Sequence, residues 1–461
     1  MIEVKETSRH TMLDKAINRA KERHTSPLMS MTKKIRPTDP LAFFEAAKKL
    51  SMDRTFWSST AEDFCIAGVG SAFDVKAETD RVEQAEISWK KLRHDAVIHN
   101  PYETPGTGLL ALGGMSFDPA KRQSLLWKNF PQLALTVPAF MLTKQGNTCY
   151  LTINIQVQEN DHPLQLERKL QQMEAVLMGA SGDLPKGAHI EAQQEVAPGE
   201  WKETVKFAAE SIQQQHAEKI VLARELQVKL TDQAAISAVL NKLIETQPNS
   251  YVFAFERNGD CFVGASPERL VKQETDTILS TCLAGTASRG NTKKQDTEIA
   301  DNLLHDEKNR REHDFVVKMI RQSMAHYCTD ITIPDEPVIY PLKNLQHLYT
   351  PVTATLLDGY SIFDIVEKLH PTPALGGVPR DESLAFIRRH EALDRGWYGA
   401  PVGWLDSNQN GEFAVAIRSG LIRGDQASLF AGCGIVKDSD PETEYDETNI
   451  KFKPMLSVLG G

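Results

Sequence analysis

Residues 250–270, SYVFAFERNGDCFVGASPERL, decide the architecture. "SYVFAFE" is a run of strand formers, and "RNGD" carries an Asn258-Gly259 turn signal. "CFVGASPERLVKQ" then returns, so the two runs read as an antiparallel hairpin. "TILSTCLAGTA" (277–287) adds a third strand. The pattern recurs near the end of the chain. There "WYGAPVGWLD" (397–406), an Asn410-Gly411 turn, "EFAVAIRSGLI" (412–422), a Gly424-Asp425 turn and "SLFAGCGIV" (428–436) follow one another. Upstream, "TFWSSTAEDFCIAGVGSAF" (55–73) reads as two more strands with a turn between them.

Helices separate these groups. Apolar positions at helical spacing predict helices over 163–179 and 199–216, with a strand starting at Lys219. A long polar helix is expected over about 293–326. "SIFDIVEKLHPTPALGGVP" (361–379) is a helix stopped by Pro371 and Pro373, and "LAFIRRHEAL" (384–393) is another. Hairpin-joined strands with helices between groups predict an α+β fold of large antiparallel sheets with helices packed outside. The break "GASGDLPKGAH" (179–189) suggests two portions, 1–195 and 196–461.

Composition narrows the function classes. The chain has 461 residues, 41% hydrophobic and 25% charged, which is ordinary for a globular protein. Its 62 acids against 52 bases give a net charge of -10, which argues against nucleic acid as a partner. The cysteines at 65, 149, 261, 282, 328 and 433 show neither C-x-x-C nor zinc spacing and read as reduced thiols. The N-terminus has no apolar signal core, and no run is long enough to span a membrane, so a cytoplasmic protein is expected. "GVGSAF", "GCGIVK" and "GTASRGNTKK" only partly match phosphate-binding loops.

Chemistry concentrates elsewhere. "DPETEYDETNIKFK" (440–453) starts with an N-cap aspartate and Pro441 at the first helical position. Glu444, Glu447 and Lys451 share one face of that helix. Dipole-favoured surface acids would explain them locally. The functional alternative is a Mg²⁺ site in which Glu447 is joined by Glu312 of "HDEKNRREHDFVV" on a facing helix. Glu312 could equally be an exposed helix acid, and its neighbour His313 a surface histidine. In "EFAVAIRSG", alternation sets Arg418 on a face with Ala414 and Ala416, which leaves room for bidentate carboxylate recognition. An edge ion pair would account for it too. Lys219 shares a small-residue face with Val221 and Ala223, where burial would make it a plausible base. Glu268 follows a Gly-Ala-Ser-Pro turn, and in a water-poor pocket it could act as an acid. Taken singly, each has a structural explanation.

Taken in order, the segments resemble the chorismate-utilising enzymes, the family of anthranilate synthase component I, aminodeoxychorismate synthase, salicylate synthase and isochorismate synthase. The matching motifs are "KIVLARE", "GASPERL", "LAGTASRG", "DEKNRREH", "NLQHL", "HPTPALGG", "RGWYGAPVGW", "EFAVAIRSG" and "AGCGIVKDSDPETEYDET". They are dense from about 200 to 456; the N-terminal portion matches loosely, through "FCIAGVGSAF". The resemblance implies a single anthranilate synthase component I-like domain. It implies Mg²⁺ held by Glu312 and Glu447, with Glu444 bridging through water. It implies substrate contacts from Tyr398, Arg418, Lys451 and the Gly432 and Gly434 backbone, with Gly285, Thr286 and His347 lining the ring. Lys219 matches the base that activates water, and Glu268 the acid that protonates the leaving 4-hydroxyl of chorismate. Asn309 stands where many members carry a further acid.

Ala284 replaces the lysine of aminodeoxychorismate synthases, and "FVVKMIRQ" departs from the "LVDLxRND" of anthranilate synthases. "LHPTPALGGVPR" and "RGWYGAPVGW" look most like isochorismate synthases, and the length like their menaquinone branch. Salicylate synthases and siderophore-pathway enzymes share the core residues. With water as nucleophile, the resemblance implies no glutaminase subunit, and a monomer or weak homodimer is expected.

Overall fold

A computed structural model describes residues 8–179, 182–342 and 345–461. Ala180 and Ser181 of the expected break, and Asn344 of "NLQHL", lie outside them, as do the first seven residues. The hairpin at 250–270 forms as expected. Tyr251–Arg257 pairs antiparallel with Asp260–Ser266, and the turn residues Asn258 and Gly259 have φ of 51 and 84. Positive φ at both central positions is what a two-residue turn matching strand twist requires.

The returning strand does not run on to Gln273. It stops at Ser266, and Arg269–Glu274 belongs to a second sheet. Pro267 offers no N–H to a ladder, and there the chain passes between sheets. "EFAVAIRSGLI" is divided in the same way. Gly411–Val415 lies in the second sheet and Ser419–Arg423 in the first, with Arg418 at φ 52 between them. The expected alternation therefore ends at Val415, and Arg418 projects from a crossing rather than a strand face. The two crossings lie side by side. Val415 N–H donates to the Glu268 carbonyl at 3.0 Å, and Ala265 N–H to the Arg418 carbonyl at 3.1 Å.

Among the described residues the sheets have 13 and 10 strands. Both run through the two sequence portions. Arg54–Ser59 pairs with Tyr251–Arg257 in the larger sheet, and Leu110–Met115 with Pro401–Asp406 in the smaller. The sheets face each other across an aromatic layer. Trp57, Phe253, Phe255 and Phe262 enter it from one side and Leu110, Leu112 and Trp404 from the other, with Trp127, Phe130 and Trp397 filling it. Helices Pro163–Met178, Ile236–Thr246 and Pro441–Val458 help cover the outer face of the larger sheet. Arg81–Asp95, Glu307–Met324 and Ile362–Leu369 cover the smaller one. Because each sheet is buried on both faces, its central strands read as continuous apolar runs.

The helices expected at 163–179 and 199–216 are Pro163–Met178 and Pro198–Gln213. The long polar helix is two helices, Lys293–His305 and Glu307–Met324. Asp306 breaks it by leaving helical geometry and accepting from Asn309 N–H at 2.8 Å as the N-cap of the second. All six cysteines are free and buried. No helix among the described residues is long and apolar enough to cross a membrane.

Candidate active site

Lys219 opens the strand Lys219–Leu230. The neighbouring strand Gln426–Ile435 sets Gly434 opposite Val221 and Gly432 opposite Ala223. A Cβ on Gly434 would lie 2.6 Å from Lys219 Cε, so the glycine leaves a path for the lysine stem. Lys219 Nζ ends 2.8 Å from Glu312 Oε1, on the helix Glu307–Met324. The C-terminal helix supplies a second, similar pair. Lys451 Nζ donates to the Gly432 carbonyl at 2.8 Å and meets Glu447 Oε1 at 2.5 Å. Two lysines thus lie over one glycine-rich strand, each facing a carboxylate.

The sheet crossings bring the remaining charges. Arg418 has Tyr398, Glu447 and Glu268 as its electrostatic neighbours, and burial lowers its pKa. Its guanidinium makes none of the hydrogen bonds or ion pairs found among the described residues. Burial pushes the Glu268 carboxyl up to about 7, with Arg418 and Lys219 pulling the other way. Burial, then Arg418, lowers the His347 imidazole to about 4, leaving it neutral at physiological pH. Burial raises the Tyr398 phenol to about 12. Gly285, at φ 77, forms a bulge that sets Thr286 opposite His347, and Thr286 Oγ1 lies 2.9 Å from His347 Nδ1.

The acids of the C-terminal helix diverge in role. Glu447 faces Lys451, whereas Glu444 Oε1 accepts from the Ser439 hydroxyl at 2.7 Å. Among the described residues no three His, Cys, Asp or Glu side chains converge closely enough to hold a metal by themselves. Glu312 and Glu447 remain as two half-exposed carboxylates, each balanced by a single lysine. Mg²⁺ takes one or two carboxylates and completes its shell with water and substrate oxygens. The donor set fits such an ion in kind.

His313 is fully buried rather than a surface histidine. Its Nδ1 donates to the Ala284 carbonyl at 3.0 Å, and its Nε2 accepts from the Thr350 hydroxyl at 2.7 Å. Sequence reading also passed over Glu391 and Arg395. Their buried pair seals the open edge of the strand that carries Lys219. Glu391 accepts from Ala223 N–H at 2.7 Å, and Arg395 donates to Val221 O at 2.8 Å and Leu375 O at 2.9 Å. Tyr398 N–H donates back to Arg395 O at 2.8 Å. The i, i+4 spacing of Glu391 and Arg395 was the available signal.

With this geometry in view, the chain belongs to the chorismate binding enzyme family, whose model matches residues 15–460. It is 42% identical to isochorismate synthase MenF of Bacillus subtilis, over 97% of this chain and 96% of that one. It is 33% identical to the salicylate biosynthesis isochorismate synthase of Pseudomonas aeruginosa, over 97% and 94%. Two solved structures share the fold. The menaquinone-specific isochorismate synthase MenF of Escherichia coli has a TM-score of 0.80 at 24% identity, covering 97% of this chain and 100% of that one. Anthranilate synthase component I of Streptococcus pneumoniae has a TM-score of 0.71 at 20% identity, covering 86% and 92%.

Proposed function

We propose that this protein is an isochorismate synthase that interconverts chorismate and isochorismate, serving menaquinone biosynthesis. The observation that carries the reading is the burial of Glu268, which pushes its carboxyl up to about 7, with Arg418 and Lys219 as its charged neighbours. A carboxyl that stays partly protonated near neutrality can donate to a leaving hydroxyl, and an amine across the ring can take a proton from water. The water oxygen bonds to C2, the ring double bonds shift, and the C4 hydroxyl leaves as water once Glu268 has protonated it. Atoms balance, and the product is an isomer. The similarity to Bacillus subtilis isochorismate synthase MenF, which shares its name with the menaquinone-specific enzyme of Escherichia coli, supports the menaquinone assignment.

Lys219 must leave its ion pair with Glu312 to act as the base. Glu312 and Glu447 would hold Mg²⁺, with Glu444 reaching it through water; the ion would neutralise a substrate carboxylate. Arg418, with no protein partner among the described residues, would take a carboxylate of the dianionic substrate. Tyr398, Lys451 and the Gly432 and Gly434 backbone complete the anion contacts, and Gly285, Thr286 and His347 line the ring. We assign the protein to the cytoplasm, acting without a glutaminase subunit as a monomer or weak homodimer. Residues 196–461 would carry the chemistry and 1–195 the more variable part of the same domain.

The test is incubation of the purified protein with chorismate and Mg²⁺, with and without EDTA, followed by proton NMR of the products. A reversible mixture of chorismate and isochorismate that EDTA abolishes is expected. Salicylate and pyruvate instead would overturn the reaction assigned.

A further inference from the structure

The bulge at Gly285 frees backbone groups on both its sides, and one helix takes them up. The strand Thr277–Ser288 pairs with Leu345–Leu356 as far as Ala284 opposite Leu348, then resumes with Thr286 opposite His347. Gly285 is the extra residue, and a bulge interrupts the ladder locally. The Ala284 carbonyl accepts from His313 Nδ1 at 3.0 Å. Thr286 N–H donates to Asn309 Oδ1 at 3.3 Å. Asn309 and His313 are i, i+4 on Glu307–Met324 and so share a face.

Both side chains are themselves held. His313 is enclosed and tied to Thr350 at 2.7 Å. Asn309 Nδ2 donates to Asp306 Oδ1, the helix N-cap, at 2.8 Å. The same helix, at the residue beside His313, sends Glu312 to Lys219. The same bulge sends Thr286 to His347.

Resting on the isochorismate-forming reading of the cleft, we propose that Asn309 and His313 are positioning residues. They grip the Gly285 bulge from both sides and set the spacing between the ring-facing Thr286–His347 pair and the Glu312–Lys219 pair. Neither touches substrate. Asn309 thereby serves as a backbone acceptor and not as a vacant metal ligand. An aspartate there would still accept from Thr286 N–H, but would face Asp306 with nothing to donate.

The test compares N309A, N309D, H313A and H313N for kcat, KM, thermal midpoint and amide exchange at Thr286. N309A is expected to speed that exchange about tenfold, as expected when a local hydrogen bond is lost. It should lower kcat/KM by about ten- to a hundredfold, the scale of a small misplacement, with a nearly unchanged midpoint. N309D, which keeps the acceptor but loses the bond to Asp306, is expected to fall between N309A and wild type in both. H313N retains a donor for Ala284 O and should rescue part of the activity that H313A loses; should neither fold, the Asn309 pair decides. Faster exchange with unchanged kcat/KM would make the clamp merely structural and overturn the proposal. So would equal losses in N309A and N309D, or unchanged exchange in N309A. Wild-type protein that leaves chorismate intact would instead overturn the assigned reaction, and the exchange rates would still judge the clamp.

Discussion

Burial gives Glu268 the raised pKa on which its proposed role rests. A glutamate in water titrates near 4.3, too low to donate a proton at neutral pH. Set in the crossing between sheets, it is pushed up to about 7. Activity that needs its proton should fall as pH rises through about 7, and E268Q should lose that limb together with about a hundredfold or more in kcat. Stability carries the same signature. Between the ordinary glutamate value and the folded value of about 7 the native state binds more protons, so the wild type loses stability as pH rises across that window. E268Q should flatten this part of the dependence of thermal midpoint on pH; an unchanged slope would contradict the burial argument. Lys219→Ala should still bind chorismate by calorimetry while turnover drops by about a hundredfold or more, the scale of a lost general base. Wild-type turnover in that variant would remove the base assignment.

Elements place these residues through their ends and edges. Glu268 and Arg418 each occupy the gap where a chain leaves one sheet for the other, and the crossings hydrogen-bond to each other. Lys219 sits at the start of a strand whose outer edge has three covers. Ile190–Glu195 pairs with its far end, Glu391 and Arg395 take its middle, and Gly377–Val378 pairs with its beginning. The Glu391–Arg395 pair is buried, so removing one partner leaves a charge and several backbone groups stranded. Arg395→Met should cost about 3–5 kcal/mol, the range for a broken buried pair. Denaturant unfolding would read that loss, and a change within about 0.5 kcal/mol, as at ordinary surface sites, would show that the seal is dispensable.

At the scale of the molecule, the two sequence portions cannot be separated. Tyr251–Arg257 needs Arg54–Ser59 beside it, and Pro401–Asp406 needs Leu110–Met115. The aromatic layer draws Trp57 and Trp127 from one portion and Phe262 and Trp397 from the other. A fragment of residues 196–461 would leave three strands without a neighbour, Tyr251–Arg257, Pro401–Asp406 and the far end of Lys219–Leu230, and would expose half of that layer, a template for aggregation. It should be insoluble or molten by near-ultraviolet circular dichroism. A soluble, cooperatively folded fragment would refute the shared-sheet account.

The sequence by itself determined the turn of the 250–270 hairpin and the helices at 163–179 and 199–216, and its motifs supplied the candidate residues of the site. Turn chemistry at Asn258-Gly259 and apolar periodicity are local properties, written in neighbouring residues. It also set Lys451 one turn from Glu447, since helical spacing fixes that contact. Only the tertiary structure decided where strands change sheet. A buried strand and a crossing both read as apolar runs, so "EFAVAIRSGLI" looked continuous, and the break at Asp306 was hidden within one polar helical pattern. The burial of His313, the seal made by Glu391 and Arg395 and the raised carboxyl of Glu268 depend on partners far away in the chain. Desolvation and long-range hydrogen bonds belong to the folded packing, and no short window of residues contains them.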